Sequence, residues 1–367
     1  MNYIRLALKA GRGGDGIISW AKTKYNSRLG PAGGSGGDGG SIYLVVDSKY
    51  SDFSHLKNVE KKAPNGTNGQ KDKKSGSSGT DIYLKVPENA ELYDLNKKIR
   101  ISTLKAEEKL LICKGGRGGR GNSSFKNAQF QAPWLYELGE RGESLDLLLI
   151  KEGINYVGII SLSEENLSDN LIEEFQEISS VGDQVHFFSF PLSIFEKKSI
   201  KPFHLKDLEL CKAIILVSEP KNENYNKKQE WLTPMLKDLG FYSFISVVLG
   251  TKDLQEIYKE LIKDLKKTTQ LPCFKPKGST PDDDYIEYSD DLLPDKEDYQ
   301  IIKVPEGWEV NSKRLSYWSS RIPQTTLHNI ERLKAKLKVE EIIKQIKKSG
   351  GLKGETLKIC NYTTSIY

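Results

Sequence analysis

The sequence predicts a multidomain protein of three unlike parts: a glycine-rich part built from packed polyproline II helices, an α/β part, and a small α+β part at the carboxy-terminal end. The glycine distribution is the first observation. Of 32 glycines, 22 fall in residues 1–150 and 10 in the remaining 217. Charge is the second: residues 1–150 hold 24 Lys and Arg against 16 Asp and Glu, a net of +8, whereas residues 151–367 hold 31 against 34, a net of −3. The third is periodicity, which alternates as in strands near the start and takes helical spacing near the end. A chain of 367 residues has the length of two or three domains, and 37% apolar with 9% aromatic content excludes disorder throughout.

The first part, residues 1–150, opens on Met1-Asn-Tyr-Ile-Arg-Leu-Ala-Leu-Lys, an alternation that reads as a strand. Glycines then recur every third residue. Gly33, Gly36 and Gly39 form one series and Gly34, Gly37 and Gly40 another, and Gly115, Gly118 and Gly121 repeat the pattern beside Gly116 and Gly119. Three residues per turn is the repeat of polyproline II, and glycine on one face of that helix lets neighbouring backbones come close. A flexible linker and a phosphate-cradling loop are the competing readings. Ser41-Ile-Tyr-Leu-Val-Val and Asp81-Ile-Tyr-Leu-Lys-Val-Pro read as strands that anchor the glycine segments, which disfavours a linker. Gly11-Arg-Gly-Gly-Asp-Gly lacks the helix and ribose-binding acid of a dinucleotide fingerprint, and no Gly-Lys-Ser/Thr completes a P-loop.

Residues 151–270 read as α/β, with strands at 156–160, 185–190, 213–217 and 243–249 and helices at 167–179, 228–239 and 253–267. Asp169, Glu173 and Glu177 have the spacing of one solvated helix face. His186 and His204 form no metal or nucleophile pattern with a nearby cysteine and read as structural or surface residues. No catalytic constellation stands elsewhere in the chain.

Residues 271–298 form an acidic linker: 282–298 carries nine acidic residues and one Lys, and Pro272, Pro276, Pro281 and Pro294 punctuate the stretch. Residues 299–367 hold 13 Lys and Arg against 6 Glu, a net of +7. Val339, Ile342, Ile343 and Ile346 make an apolar helix stripe, a glycine pair stops it, and a final strand follows. In and just after the preceding helix, 325–336, Arg332, Lys334, Lys336 and Lys338 either face RNA or serve solubility alone. Two basic units around an acidic connector fit a polyanion held at two places, or solvated faces.

Cys113, Cys211, Cys273 and Cys360 are too far apart for a zinc motif or a small disulfide scaffold, which fits a reducing compartment. No apolar run reaches the roughly 18 residues of a membrane span, and the start alternates as a strand in place of a signal core. The expectation is a soluble, unsecreted, cytoplasmic monomer with no membrane partner and no long targeting leader.

Residues 1–150 resemble the amino-terminal domain of the Obg GTPases. The resemblance rests on Ala10-Gly-Arg-Gly-Gly-Asp-Gly, Gly30-Pro-Ala-Gly-Gly-Ser-Gly-Gly-Asp-Gly-Gly-Ser, Lys114-Gly-Gly-Arg-Gly-Gly-Arg-Gly-Asn with Phe125-Lys, Gln131-Ala-Pro, and Glu137-Leu-Gly-Glu-Arg-Gly-Glu. It implies the Obg fold, a small β-barrel carrying a glycine-rich polyproline II bundle whose tip loops dock on ribosomal RNA of the large subunit, near the peptidyl transferase centre. The matching cations are Lys22, Lys24 and Arg28 in the first arm, Lys71, Lys73 and Lys74 in the second, and Arg117, Arg120 and Lys126 in the third. Such groups on a rigid projection suit phosphate contacts. Tyr25 and Phe125 either stack on bases or pack at the arm's root, the latter being favoured.

Residues 151–270 then stand in the place of that family's GTP-binding domain, and Phe244-Ile-Ser-Val-Val-Leu-Gly-Thr-Lys-Asp-Leu-Gln-Glu-Ile resembles its last guanine-contacting strand, loop and helix. The nucleotide motifs depart from the family, which makes this a degenerate α/β P-loop-GTPase-like domain. With Gly158 as the first P-loop glycine, Ser163 falls on the second, Glu164 on the phosphate-binding lysine, and Glu165 and Asn166 on the Ser/Thr pair. Carboxylates there repel a triphosphate. No Asp between residues 150 and 270 is followed by Gly three positions on, the switch segment is missing, and Asn226-Lys-Lys-Gln lacks the carboxylate that reads guanine. The carboxy-terminal part, with Gly354-Glu-Thr-Leu-Lys-Ile, resembles the extra domain of some Obg proteins.

The expected function is that of an Obg-like assembly factor bound to the large ribosomal subunit and its ribosomal RNA, with no catalytic residue, metal or cofactor and with GTP turnover lost. Two alternatives stay open. One is an active Obg-type GTPase that uses GTP and Mg²⁺ in ribosome biogenesis; the other is a non-enzymatic interaction scaffold.

Overall fold

The computed structural model describes residues 1–22, 29–56, 59–162, 167–178, 184–196, 206–218, 225–241, 245–248, 253–268, 271–275 and 299–367. Among the described residues the amino-terminal base has eight strands: β1 (Tyr3–Lys9), β2 (Ile42–Val46), β3 (Glu60–Lys62), β4 (Ile82–Val86), β5 (Ala90–Asp94), β6 (Ile99–Thr103), β7 (Lys109–Cys113) and β8 (Ser144–Lys151). Hydrogen bonding divides them into a five-stranded sheet in the order β3-β1-β8-β5-β6 and a three-stranded sheet in the order β4-β2-β7, rather than one continuous barrel wall. Alternation does the rest: Leu6, Leu8, Ile42, Leu44, Leu84, Val86, Leu147 and Leu149 all turn into one shared core.

Three glycine-rich arms rise from this base, between β1 and β2, β3 and β4, and β7 and β8. Each period-three series faces one neighbour. A Cβ on Gly36 would lie 2.0 Å from Gly14 O, on Gly37 2.2 Å from Ser77 O, on Gly118 2.1 Å from Gly36 O and on Gly119 2.0 Å from Glu137 O. Backbone hydrogen bonds also join neighbouring segments, from Gly36 N to Gly119 O (2.9 Å), Gly37 N to Thr67 O (2.9 Å) and Gly119 N to Gly14 O (2.8 Å). The arms are therefore held backbone to backbone, at distances no side chain permits.

The middle unit is an open parallel sheet in the order β10-β9-β11-β12, made of β9 (Asn155–Ser161), β10 (Val185–Pro191), β11 (Cys211–Ser218) and β12 (Ile245–Val248). The helices α1 (Leu167–Ile178) and α4 (Leu254–Lys267) pack on one face through Leu171, Phe175, Ile257 and Leu261. The short α2 (Ser193–Glu196) and α3 (Tyr225–Asp238) cover the other, through Phe195, Leu232 and Leu236. The four expected strands and three expected helices are all present; Asp253 caps α4 by accepting from Gln255 N.

The expected linker begins later than residue 271. Leu271 and Phe274 pack with Tyr93, Leu148, Ile150, Tyr156 and Leu210 in a core shared by the base and the middle unit, and Lys275 pairs with Ile99. The rest of that linker, 276–298, lies outside the described residues. The last unit carries the sheet β13 (Gln300–Val304), β14 (Gly307–Asn311), β15 (Thr356–Ile359) and β16 (Tyr362–Ser365) in sequential order. Over it pack α5 (Lys313–Arg321), α6 (Leu327–Lys336) and α7 (Val339–Lys348), and all four stripe residues of α7 are buried. Among the described residues no helix is long and apolar enough to cross a membrane.

Candidate functional site

The arm tips gather cations from distant sequence positions. Asn122, fully buried, is the node: its Oδ1 accepts from Gly33 N (2.8 Å) and its Nδ2 donates to Ser19 O (3.1 Å) and Pro133 O (3.3 Å). Lys73 N donates to Ala32 O (2.8 Å), tying the second arm to the first, and Asp72 and Lys73 take left-handed φ of 60° in its turn. Lys22, Lys71, Lys73, Lys74 and Lys126 are exposed around this node. Lys24, Arg28 and Tyr25 lie outside the described residues. The arrangement presents five ammonium groups on a framework with little freedom to collapse, a geometry suited to a phosphate backbone.

Arg117 and Arg120 sit elsewhere, toward the carboxy-terminal unit. Arg117 is half-buried and lines a cleft of about 890 Å³ with Arg141, Lys313 and Tyr317. Arg120 donates from Nε to Glu137 Oε2 (3.0 Å) and from Nη2 to Glu137 Oε1 (2.9 Å), and its guanidinium lies 4.8 Å from the centre of the Phe125 ring. Phe125 also takes Arg332 at 4.6 Å, so it packs between two guanidinium groups. Arg120, its side chain still 46% exposed, is thus paired within the protein, and so is Arg332, read from sequence as facing RNA or serving solubility: its Nη2 reaches Glu137 Oε1 at 2.5 Å. Lys336 lies over the Trp318 ring at 4.1 Å.

Glu137 is 1% exposed and also meets Arg321 Nη2 at 3.5 Å. Burial by itself raises a carboxyl pKa, but the hydrogen bond from Arg120 and the charges of Arg332 and Arg120 outweigh it and hold Glu137 at about 2. Backbone contacts close the joint, with Leu138 N donating to Arg321 O (2.8 Å) and Tyr136 N to Asn329 Oδ1 (3.2 Å).

In an open parallel sheet, ligands bind beyond the carboxyl ends of the strands where strand order reverses. Here that point is beside β9, since the chain steps to β10 on one side and β11 on the other. Gly158, expected at the start of a phosphate loop, lies instead in mid-β9 between Phe188 and Ile214, and a Cβ there would come 2.8 Å from Ile214 Cδ1. Its missing side chain serves sheet packing. Because β9 ends at Ser161 and α1 begins at Leu167, the lysine and hydroxyl of a strand–loop–helix P-loop fall at Leu167 and Ser168. Ser163, Glu164, Glu165 and Asn166 lie outside the described residues.

Leucine at 167 supplies no ammonium, and Ser168, fully buried, has its Oγ 2.6 Å from Ser189 Oγ on β10. Lys228 of α3 donates to Leu162 O at 2.9 Å, and Ser218 at the end of β11 is buried with its Oγ unpartnered. The hydroxyl that holds Mg²⁺ in a P-loop protein is therefore turned to another serine. His186 stacks on Tyr156 at 5.5 Å and meets Asn2 Nδ2 at 3.3 Å, a structural placement; His204 lies outside the described residues. None of the four cysteines forms a disulfide.

Reading the sequence alone missed Asn122 and Glu137. Flanking glycine hid the first among linker-like polar residues, and the second stood with Glu140, Arg141 and Glu143, nothing local marking it as buried.

Glycine arms on a two-sheet base, joined to an open parallel α/β unit and a small α+β unit, define a class of three-unit proteins. Residues 1–151 match the family model GTP1/OBG. The chain is 30% identical to a protein named GTPase Obg from Mycoplasmoides gallisepticum, over 98% of this chain and 97% of that one. It is 28% identical to those of Mycoplasmopsis pulmonis, over 99% and 98%, and Mycoplasma genitalium, over 97% and 96%. This chain belongs to the Obg family. The first of these alignments runs over 426 positions against a chain of 367, so at least 59 positions (426 less 367) have no counterpart here.

Proposed function

We propose that this protein is an Obg-type factor that acts in the cytoplasm as a monomer, docks its arm tips on large-subunit ribosomal RNA during ribosome assembly, and no longer turns over GTP. The arms are taken as polyproline II helices and the middle unit as a degenerate GTPase domain. The observation that carries the RNA reading is the set of exposed cations Lys22, Lys71, Lys73, Lys74 and Lys126 around the buried Asn122 node. Arg117 and Arg120 are left out of that surface, since they face the carboxy-terminal unit. Loss of turnover is supported by Leu167 and Ser168 at the start of α1, and by the shortened chain.

The test of RNA docking is co-sedimentation with large subunits across a salt series. Changing Lys71, Lys73 and Lys74 to Glu is expected to weaken association and to flatten the log–log salt slope by about 2, at about 0.7–0.9 per lost phosphate contact. An unchanged slope refutes the arm-tip reading. The relatives' shared name favours a second reading, an active GTPase. Isothermal titration with GTP and Mg²⁺ separates the two: absence of heat is expected, and micromolar binding overturns the loss of the site.

A further inference from the structure

The three-stranded sheet of the base has an inner face filled by Ile42, Leu44, Leu84, Val86 and Ile112. Its outer face carries aromatic, aliphatic and cationic side chains. Strand pairing sets Tyr83, Tyr43 and Leu111 side by side in one row and Lys85, Val45 and Lys109 in the next. The two tyrosine rings lie 5.2 Å apart and nearly parallel, at 12°. Tyr83 is 51% exposed and Leu111 41%. Lys109 Nζ lies 4.2 Å from the Tyr43 ring centre and 4.7 Å from that of Tyr83, and Lys85 pairs with Asp47 at 3.0 Å while standing 5.8 Å from the Tyr50 ring.

A half-exposed aromatic on a sheet surface offers a π-face with a polar rim. With the Lys109 ammonium resting against both rings and able to turn outward, it has the two parts a single-stranded nucleic acid uses, a platform for a base and a cation for the adjoining phosphate. Complementary charge favours this occupant over a protein, because residues 1–150 carry a net of +8 and the row is narrow, holding one aliphatic side chain beside two phenols. We propose that this sheet face is a second RNA-binding surface, separate from the arm tips, on which an unpaired base stacks against Tyr83 while Lys109 meets its phosphate. It stands whether or not the arm-tip reading holds.

The test is fluorescence anisotropy of a labelled single-stranded RNA decamer with the full chain. Tyr83→Ala is expected to weaken binding about tenfold, within the range for one lost base–aromatic stack, and Tyr83→Phe to bind within about twofold of wild type. Lys109→Gln is expected to weaken binding and reduce its salt dependence. The tenfold ratio is expected to persist in a background with Lys71, Lys73 and Lys74 changed to Glu, which separates this face from the arms. Equal binding by wild type and Tyr83→Ala overturns the proposal, as does a ratio that vanishes in the arm background. Self-association abolished by Tyr83→Ala, with RNA affinity unchanged, assigns the face to a second copy of the chain and overturns it too.

Discussion

Replacing Glu137 by glutamine removes the one charge on which Arg120, Arg321 and Arg332 converge between the third arm and the carboxy-terminal unit. The carboxyl is held at about 2 against an ordinary 4.5, but Arg120 lies on its own arm, so the docking share belongs to Arg321 and Arg332. Leaving such a buried guanidinium without its carboxylate costs about 3 kcal/mol or more. Glutamine also leaves Arg321, itself 6% exposed, with only Glu140 at 3.3 Å as an acidic partner. The expected outcome is a docking equilibrium weakened about a hundredfold. Hydrogen exchange reads this directly, because the amides of Tyr136 and Leu138 donate across the joint to Asn329 and Arg321. Faster exchange in 134–140, with exchange in the β1 and β8 core unchanged, is the prediction. The pH dependence has a fixed sign. A depressed carboxyl stabilises fully above its unfolded value near 4.5, and that contribution is lost as pH falls toward about 2. Wild-type protection at the joint therefore declines across that window, and the glutamine variant lacks this component. Identical exchange at neutral pH in the two proteins refutes the reasoning.

Gly36→Ala places a Cβ 2.0 Å from Gly14 O, and thermal unfolding of the amino-terminal unit is expected to report a loss of at least about 3 kcal/mol. Gly350→Ala, at φ +92° with nothing within 4 Å, is the contrast and costs about 1 kcal/mol. Asn122→Ala orphans the Gly33 amide and two carbonyls at the arm node, for about 2–4 kcal/mol by the same measurement. Burial pushes the thiols of Cys113 and Cys273 up to about 12, so a thiolate-selective disulfide reagent at mildly alkaline pH is expected to label them only after denaturation.

The local regularities were legible in the sequence because each has a fixed period. Glycine every third residue named the contact faces of the arms, and Val339, Ile342, Ile343 and Ile346 named the buried stripe of α7. What was not legible depends on where the chain returns. Arg120, Glu137, Arg321 and Arg332 are separated by up to 212 positions (332 less 120), and a charge that is buried by a distant unit looks the same in sequence as one in water. Gly158 shows a different failure. Counting residues from a glycine cannot tell where β9 ends, and the strand's extension to Ser161 moves the phosphate-loop positions to Leu167 and Ser168. Leu271 and Phe274 likewise sit among prolines that read as linker, until the core shared with Tyr93 makes them structural.

If the nucleotide motifs of the middle unit have decayed, as proposed above, that shared core gives a reason for the chain to keep the unit. Tyr156 of β9 meets Tyr3 edge-on at 5.6 Å, Phe274 lies 4.9 Å from Tyr93, and Glu209 takes Arg5 at 3.0 Å as well as Lys98. Removing the unit would expose one side of the five-stranded sheet, where Leu148 and Ile150 are now buried. On the proposed reading, selection on the phosphate loop has lapsed, whereas selection on the faces of β9 and β10 that support the base has not. The two parts of one domain would then diverge at different rates. Ser168 near the start of α1 pairs with Ser189 of β10, while the interior rows Val157, Ile159, Ile215 and Val217 remain a well-filled sheet.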